Sequence, residues 1–212
     1  MRRGWMFLIP AGLAVAAVGT GWVWAKVGVA LSCAGIVSLS PRGRRDRAWI
    51  AAALLFSAGG DWFLANRDGR EAYFLAGIGM FFAAYAGYLA FALRHGRPQG
   101  WVLGTALAGY LAYYTIWLRP AIAGDAVAAA VLAYLAISCT GLAAAWGMRI
   151  DGRLKWPFVA GIGLLMASDT MISLHEFLGV GTLDRAILPS YFLSLICISW
   201  AVVGQSCTEA GR

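Results

Sequence analysis

Two carboxylates lie in stretches that are otherwise almost wholly apolar. Asp61 sits in Leu54-Leu55-Phe56-Ser57-Ala58-Gly59-Gly60-Asp61-Trp62-Phe63-Leu64, and Asp169 in Leu164-Leu165-Met166-Ala167-Ser168-Asp169-Thr170-Met171-Ile172. An ionisable side chain at the centre of a membrane-spanning helix costs roughly 2.5–3.5 kcal/mol on insertion scales, so one that persists calls for a reason. Two in matching contexts point to a shared site. Removal from water favours the neutral form of a carboxyl, and a second carboxylate nearby pushes one of the pair further that way. Such a pair titrates as a unit, with one member able to donate a proton and the other to stabilise a cation or activate water; either Asp can take either part.

The elements that must hold these groups follow from composition. The chain has 212 residues, 61% of them hydrophobic and 13% charged, with a mean hydropathy of +0.71. Soluble domains carry about 25% charged residues. Apolar runs near the 20 residues needed to span a bilayer recur along the sequence, and the short alternating segments of a transmembrane barrel do not. The reading is an all-α polytopic helical bundle of about eight spans, near 5–25, 27–40, 48–65, 72–93, 100–118, 124–147, 156–175 and 186–206. The connections are too short to fold separately, so residues 1–212 form a single transmembrane domain. The second span is short and must tilt or extend through Lys26, whose ammonium would snorkel to the interface.

Net charge is +7, but the basic residues fall between apolar runs, which is a topology signal and not a nucleic-acid one. Of 17 Lys and Arg, twelve lie on one side, from Arg2 and Arg3 through the Arg42–Arg47 loop to Arg212. Lys26, Arg67, Arg70, Arg119 and Arg185 lie on the other. Both termini are then expected in the cytoplasm, most simply of a bacterial inner membrane. Spans 3 and 7 would run outward, with Asp61 and Asp169 equally far beyond Ala48 and Trp156, about 20 Å along each helix. Four spans separate them, which suggests a weak parallel duplication of a four-helix unit.

Small residues around each Asp, including Gly60 and Ser57 in span 3 and Ser168 in span 7, allow close helix packing. Both serines could orient substrate, although a serine bonded to its own helix carbonyl is the commoner arrangement. In span 4, Gly77, Phe81, Tyr85 and Tyr88 share a helical stripe. A deep Tyr85 needs a hydrogen-bond partner, and Tyr134 in span 6 and Tyr191 in span 8 are further hydroxyl carriers. Cys33, Cys139, Cys197 and Cys207 are scattered and read as small apolar packing residues. With only His95 and His175 present, a three-histidine zinc site is excluded and no metal or cofactor is expected.

The sequence resembles the YhhN family of integral membrane proteins, whose animal members are lysoplasmalogenases. The resemblance lies in Gly60-Asp61 followed by Leu64, in Phe74, Gly77 and Phe81, in Ser168-Asp169 with Phe177 after it, and in Tyr191. It departs from the family's pattern where Tyr85 replaces a common His, where no proline follows Lys26, and where no Gln follows Tyr191 closely. The resemblance implies an ether hydrolase that cleaves the vinyl ether bond of lysoplasmalogen. Asp61 and Asp169 would be catalytic, with Ser57, Gly60, Tyr85, Tyr88, Ser168 and Tyr191 binding or orienting a lysophospholipid drawn from the bilayer.

Three other readings use the same carboxylates. A proton- or cation-coupled transporter would bind its ion at the Asp pair. An intramembrane aspartyl protease is suggested by Gly59-Gly60-Asp61, but Ala58 stands where a Gly is expected, Asp169 follows Ser, and a Pro-Ala-Leu segment is missing. Finally, each Asp could serve only to bond neighbouring helices.

Overall fold

The computed structural model describes residues 4–40 and 43–204, and they form an all-α bundle. A 3-10 turn, Gly4–Phe7, leads into α1 (Leu8–Thr20), followed by α2 (Val23–Ser38), α3 (Arg44–Ala65) and α4 (Glu71–His95). Helix α5 (Gly100–Tyr113) continues through a π-helical turn, Tyr114–Leu118, into the short Arg119–Ala121 segment. Helices α6 (Asp125–Trp146), α7 (Gly152–Leu178) and α8 (Asp184–Gly204) complete the bundle. Helices α3, α4, α6, α7 and α8 are long and apolar enough to cross a membrane, while α1 and α2 are shorter. Arg2, Arg3, Arg42, Cys207 and Arg212 lie outside the described residues.

Several boundaries move from the sequence-based expectation. The start of α3 takes in Arg45, Asp46 and Arg47, because its first turn can sit beyond the apolar layer and carry charge. Helix α7 gains a turn at its start, where the Asp151 side chain accepts a hydrogen bond from the Arg153 backbone N–H and caps it. Helix α2 begins at Val23 and so includes Lys26. The widened turn near the end of α5 precedes Pro120, which has no N–H and whose ring crowds the carbonyl four residues earlier; the Arg119 N–H bonds to the Tyr114 carbonyl instead.

Helices α7 and α8 pair most extensively, then α3 with α4 and α2 with α3. The neighbours repeat between the first and last four helices: α2 packs on α8 as α6 packs on α4, and α1 on α2 as α5 on α6. Close approach is built on glycine. A Cβ on Gly60 would meet the Phe81 ring at 2.6 Å across the α3–α4 seam, and one on Gly161 would meet the Ile198 side chain at 2.6 Å across the α7–α8 seam.

Polar ties gather at the two ends. At one, Arg94 pairs with Asp46 at 3.0 Å, and the Arg149 N–H donates to the His95 carbonyl at 2.7 Å. At the other, the Arg67 guanidinium makes two 2.7 Å bonds to Glu176, joining the ends of α3 and α7. Trp5, Trp22, Trp24, Trp101 and Trp156 are exposed near helix ends, the expected site of an interfacial belt. Cys33 and Cys139 are buried as free thiols, and Cys197 is partly buried.

Candidate functional site

Asp61 lies in the penultimate turn of α3 and Asp169 two-thirds of the way along α7, at the same remove from the first residues of their helices, Arg44 and Gly152. Both side chains line one cavity of about 150 Å³ among α2, α3, α4, α7 and α8. That is room for several waters. Asp169 also borders a narrow apolar passage of about 80 Å³, and Phe81, Leu64 and Ile172 line both spaces. Beyond the passage, past Phe74 and Phe177, a wider polar chamber of about 400 Å³ is lined by Arg67, Arg70, Glu71 and Glu176.

Each carboxylate is held by tyrosine hydroxyls from other helices. Tyr191 of α8 donates to Asp61 Oδ2 at 2.9 Å. Tyr85 of α4 and Tyr134 of α6 both donate to Asp169 Oδ2, at 3.1 and 2.8 Å. Among the described residues, no hydrogen bond reaches Oδ1 of either Asp. The tyrosines are locked in turn. Tyr85 stands edge-on to Tyr134 with ring centroids 5.4 Å apart, and Phe81 stands edge-on to Tyr191 at 5.9 Å. Hydroxyls with fixed rings behind them give the carboxyls defined rotamers. Each Asp thus takes a tyrosine from the opposite half of the chain.

The orienting residues divide into those at the carboxylates and those behind them. Tyr85 and Tyr191 bond them directly, and Ser168 lines the shared cavity. Ser168 does not bond its own helix: its hydroxyl donates to the Ile187 carbonyl of α8 at 3.0 Å, because the tight α7–α8 seam brings that carbonyl within reach. Ser57 likewise turns from its own helix to the hydroxyl of Tyr88, at 3.3 Å. This buried pair lines neither the cavity nor the passage, so Ser57 and Tyr88 sit behind the site. Gly60 contributes no polar group; its missing side chain makes room for Phe81, which forms part of the wall.

Two residues outside the expected set stand in the site. Tyr134 has just been described. Lys26, on the first turn of α2, lines the cavity together with Asp61. A signal for both was present: Tyr134 precedes Asp169 by 35 residues, and Lys26 precedes Asp61 by the same interval. Among the described residues no three His, Cys, Asp or Glu side chains gather as a metal-ligand set.

The model of the YhhN family matches residues 20–202, a stretch that includes Lys26, both carboxylates and all three tyrosines. The chain belongs to the YhhN family. With its apolar helices, membership identifies an integral membrane protein. The chain matches no curated protein and no solved structure. Within this YhhN protein, the polar groups at the matched positions converge from five helices, α3, α4, α6, α7 and α8, on one buried locus.

Proposed function

We propose that this YhhN protein is a membrane-embedded lysolipid hydrolase that cleaves the vinyl ether bond of lysoplasmalogen, in a bacterial inner membrane. The products are a fatty aldehyde and glycerophosphoethanolamine or glycerophosphocholine. The observation that carries the reading is the pair of carboxyls on one cavity with room for several waters, each with one oxygen bound by tyrosine and the other without a hydrogen-bond partner among the described residues. Vinyl ether hydrolysis begins with a proton delivered to the alkene carbon remote from the ether oxygen. An oxocarbenium ion forms, water adds to it, and a proton returns to the enzyme. The hemiacetal then collapses, breaking the bond to the glycerol oxygen and leaving aldehyde and alcohol. One carboxyl supplies the first proton; the other, ionised, stabilises the cation and takes the proton from water. The substrate comes from the family, and the acid–base pair from the geometry.

Asp61→Asn and Asp169→Asn should each abolish aldehyde release from lysoplasmalogen by purified, folded protein, read by mass spectrometry of the products. Full activity in either variant sinks the reading. The repeated neighbours of the two halves also favour a second one, a proton- or cation-coupled carrier with its ion at the same pair. Ion flux in proteoliposomes without aldehyde release decides for the carrier.

A further inference from the structure

The cavity shared by the two carboxylates contains one cation, Lys26, among its described lining residues. Lys26 forms no ion pair within 4.0 Å and no hydrogen bond among the described residues, yet it lines the same cavity as Asp61. Of the other bases at this end, Arg185 is exposed and does not line the cavity, and the remaining three are occupied. Arg67 is bidentate to Glu176, Arg119 pairs with Asp125 at 2.8 Å, and Arg70 bonds the Asn66 carbonyl at 2.8 Å and stacks on Tyr73. Lys26 is thus the uncommitted positive charge of the site. Two exposed tryptophans precede it closely: Trp22, the residue before α2, and Trp24 in its first turn, 61% and 62% exposed. Exposed tryptophans settle at the level of lipid headgroups.

We propose that Lys26 anchors the phosphate of a single-chain phospholipid, holding the ether linkage on the first carbon of its glycerol against the Asp61–Asp169 pair. The lipid's identity as a vinyl ether rests on the hydrolase reading; the phosphate anchor does not. In a lysophospholipid the phosphorus is five bonds from the ether oxygen at the other end of the glycerol, a reach of about 6 Å. A cation in the same cavity as Asp61 but not in contact with it leaves that spacing open. An ammonium on a flexible stem acts as a point charge for phosphate and tolerates either choline or ethanolamine beyond it.

The test is binding by the purified full chain in micelles. The probes are two lipids that cannot be hydrolysed, 1-O-hexadecyl-glycero-3-phosphocholine and 1-O-hexadecylglycerol. The wild type should prefer the phospholipid by about tenfold to a hundredfold, the range for one hydrogen-bonded charge. Lys26→Gln should lose that preference while still binding hexadecylglycerol, and Lys26→Arg should keep most of it. Equal affinity for both lipids in the wild type, or an unchanged preference in Lys26→Gln, overturns the anchor. Glycerophosphocholine and inorganic phosphate are added as competitors. Displacement by inorganic phosphate as effective as by glycerophosphocholine overturns the headgroup assignment in favour of a free-anion site. Aldehyde release from lysoplasmalogen is measured on the same preparations. Phosphate preference without aldehyde refutes the hydrolase and leaves the anchor standing; aldehyde without phosphate preference does the reverse.

Discussion

Replacing Gly60 by alanine sets a methyl group 2.6–2.8 Å from three atoms of the Phe81 ring, against the 3.4 Å or more of ordinary contact. The ring must move by about 1 Å, and overpacking of this kind costs about 1–3 kcal/mol. Alanine recovers about 1 kcal/mol over glycine as a helix former, so the net loss should be at most about 2 kcal/mol. The coupling between the two residues is the cleaner quantity. In a Phe81→Leu background the obstacle is gone, and Gly60→Ala should become neutral or slightly stabilising. The double-mutant cycle should therefore give an interaction energy of about 1–3 kcal/mol. Unfolding in mixed micelles, titrated with SDS, measures it. Activity should fall further than stability suggests. Phe81 lines the cavity and the passage and stands edge-on to Tyr191, which holds Asp61. A displacement near 1 Å at a reacting group can cost about a hundredfold in rate. A coupling energy near zero, or unchanged aldehyde release in Gly60→Ala, would refute the Gly60–Phe81–Tyr191 line of support.

Gly161→Ala should behave differently, because its Cβ would meet the Ser194 carbonyl oxygen at 3.0 Å as well as the Ile198 side chain. Removing the clashing γ carbon with Ile198→Ala should therefore leave much of the Gly161→Ala loss in place in the same SDS titration, the obstacle being partly backbone. Tyr85→Phe and Tyr134→Phe should each destabilise by about 0.5–2 kcal/mol, and the double variant by more than their sum, since only it strips Asp169 of both donors. Additive losses would mean that the two hydroxyls are not alternatives for one carboxyl. Arg67→Ala should cost about 1 kcal/mol or less, because the Arg67 and Glu176 side chains are 34% and 21% exposed; a cycle with Glu176→Gln checks it.

Charge and hydropathy carry most of the fold: the helices arise from long apolar runs and the breaks fall at clusters of Arg, Gly and Pro. That Asp61 and Asp169 line one cavity follows the sequence reading, in which equal distance along two helices of the same direction brings them to one level. Hydrogen-bond partners were less so. Whether Ser168 bonds its own carbonyl or that of Ile187 depends on a seam set by Gly161 and Ile198, a contact between helices that no local pattern encodes. Tyr134 resembled any other aromatic residue in an apolar helix. Lys26 looked like an interfacial snorkel; only the fold shows that it lines the cavity of Asp61 and Asp169. The shared 35-residue interval before each Asp was the one clue available, and it becomes meaningful once the halves are aligned.

The exchange of tyrosines between halves bears on biosynthesis. Tyr85 is made before Asp169, so that carboxylate finds a donor waiting when α7 enters the bilayer. Asp61 has no such luck: Tyr191 follows it by 130 residues, roughly 6–26 s of synthesis at about 5–20 residues per second. During that interval a nascent chain carries an acidic group in lipid whose lasting partner has not been translated, with only Lys26 of α2 already at hand. Insertion of α8 is therefore a closing step. A ribosome stalled or truncated before Tyr191 leaves behind an exposed polar defect that membrane quality control can recognise.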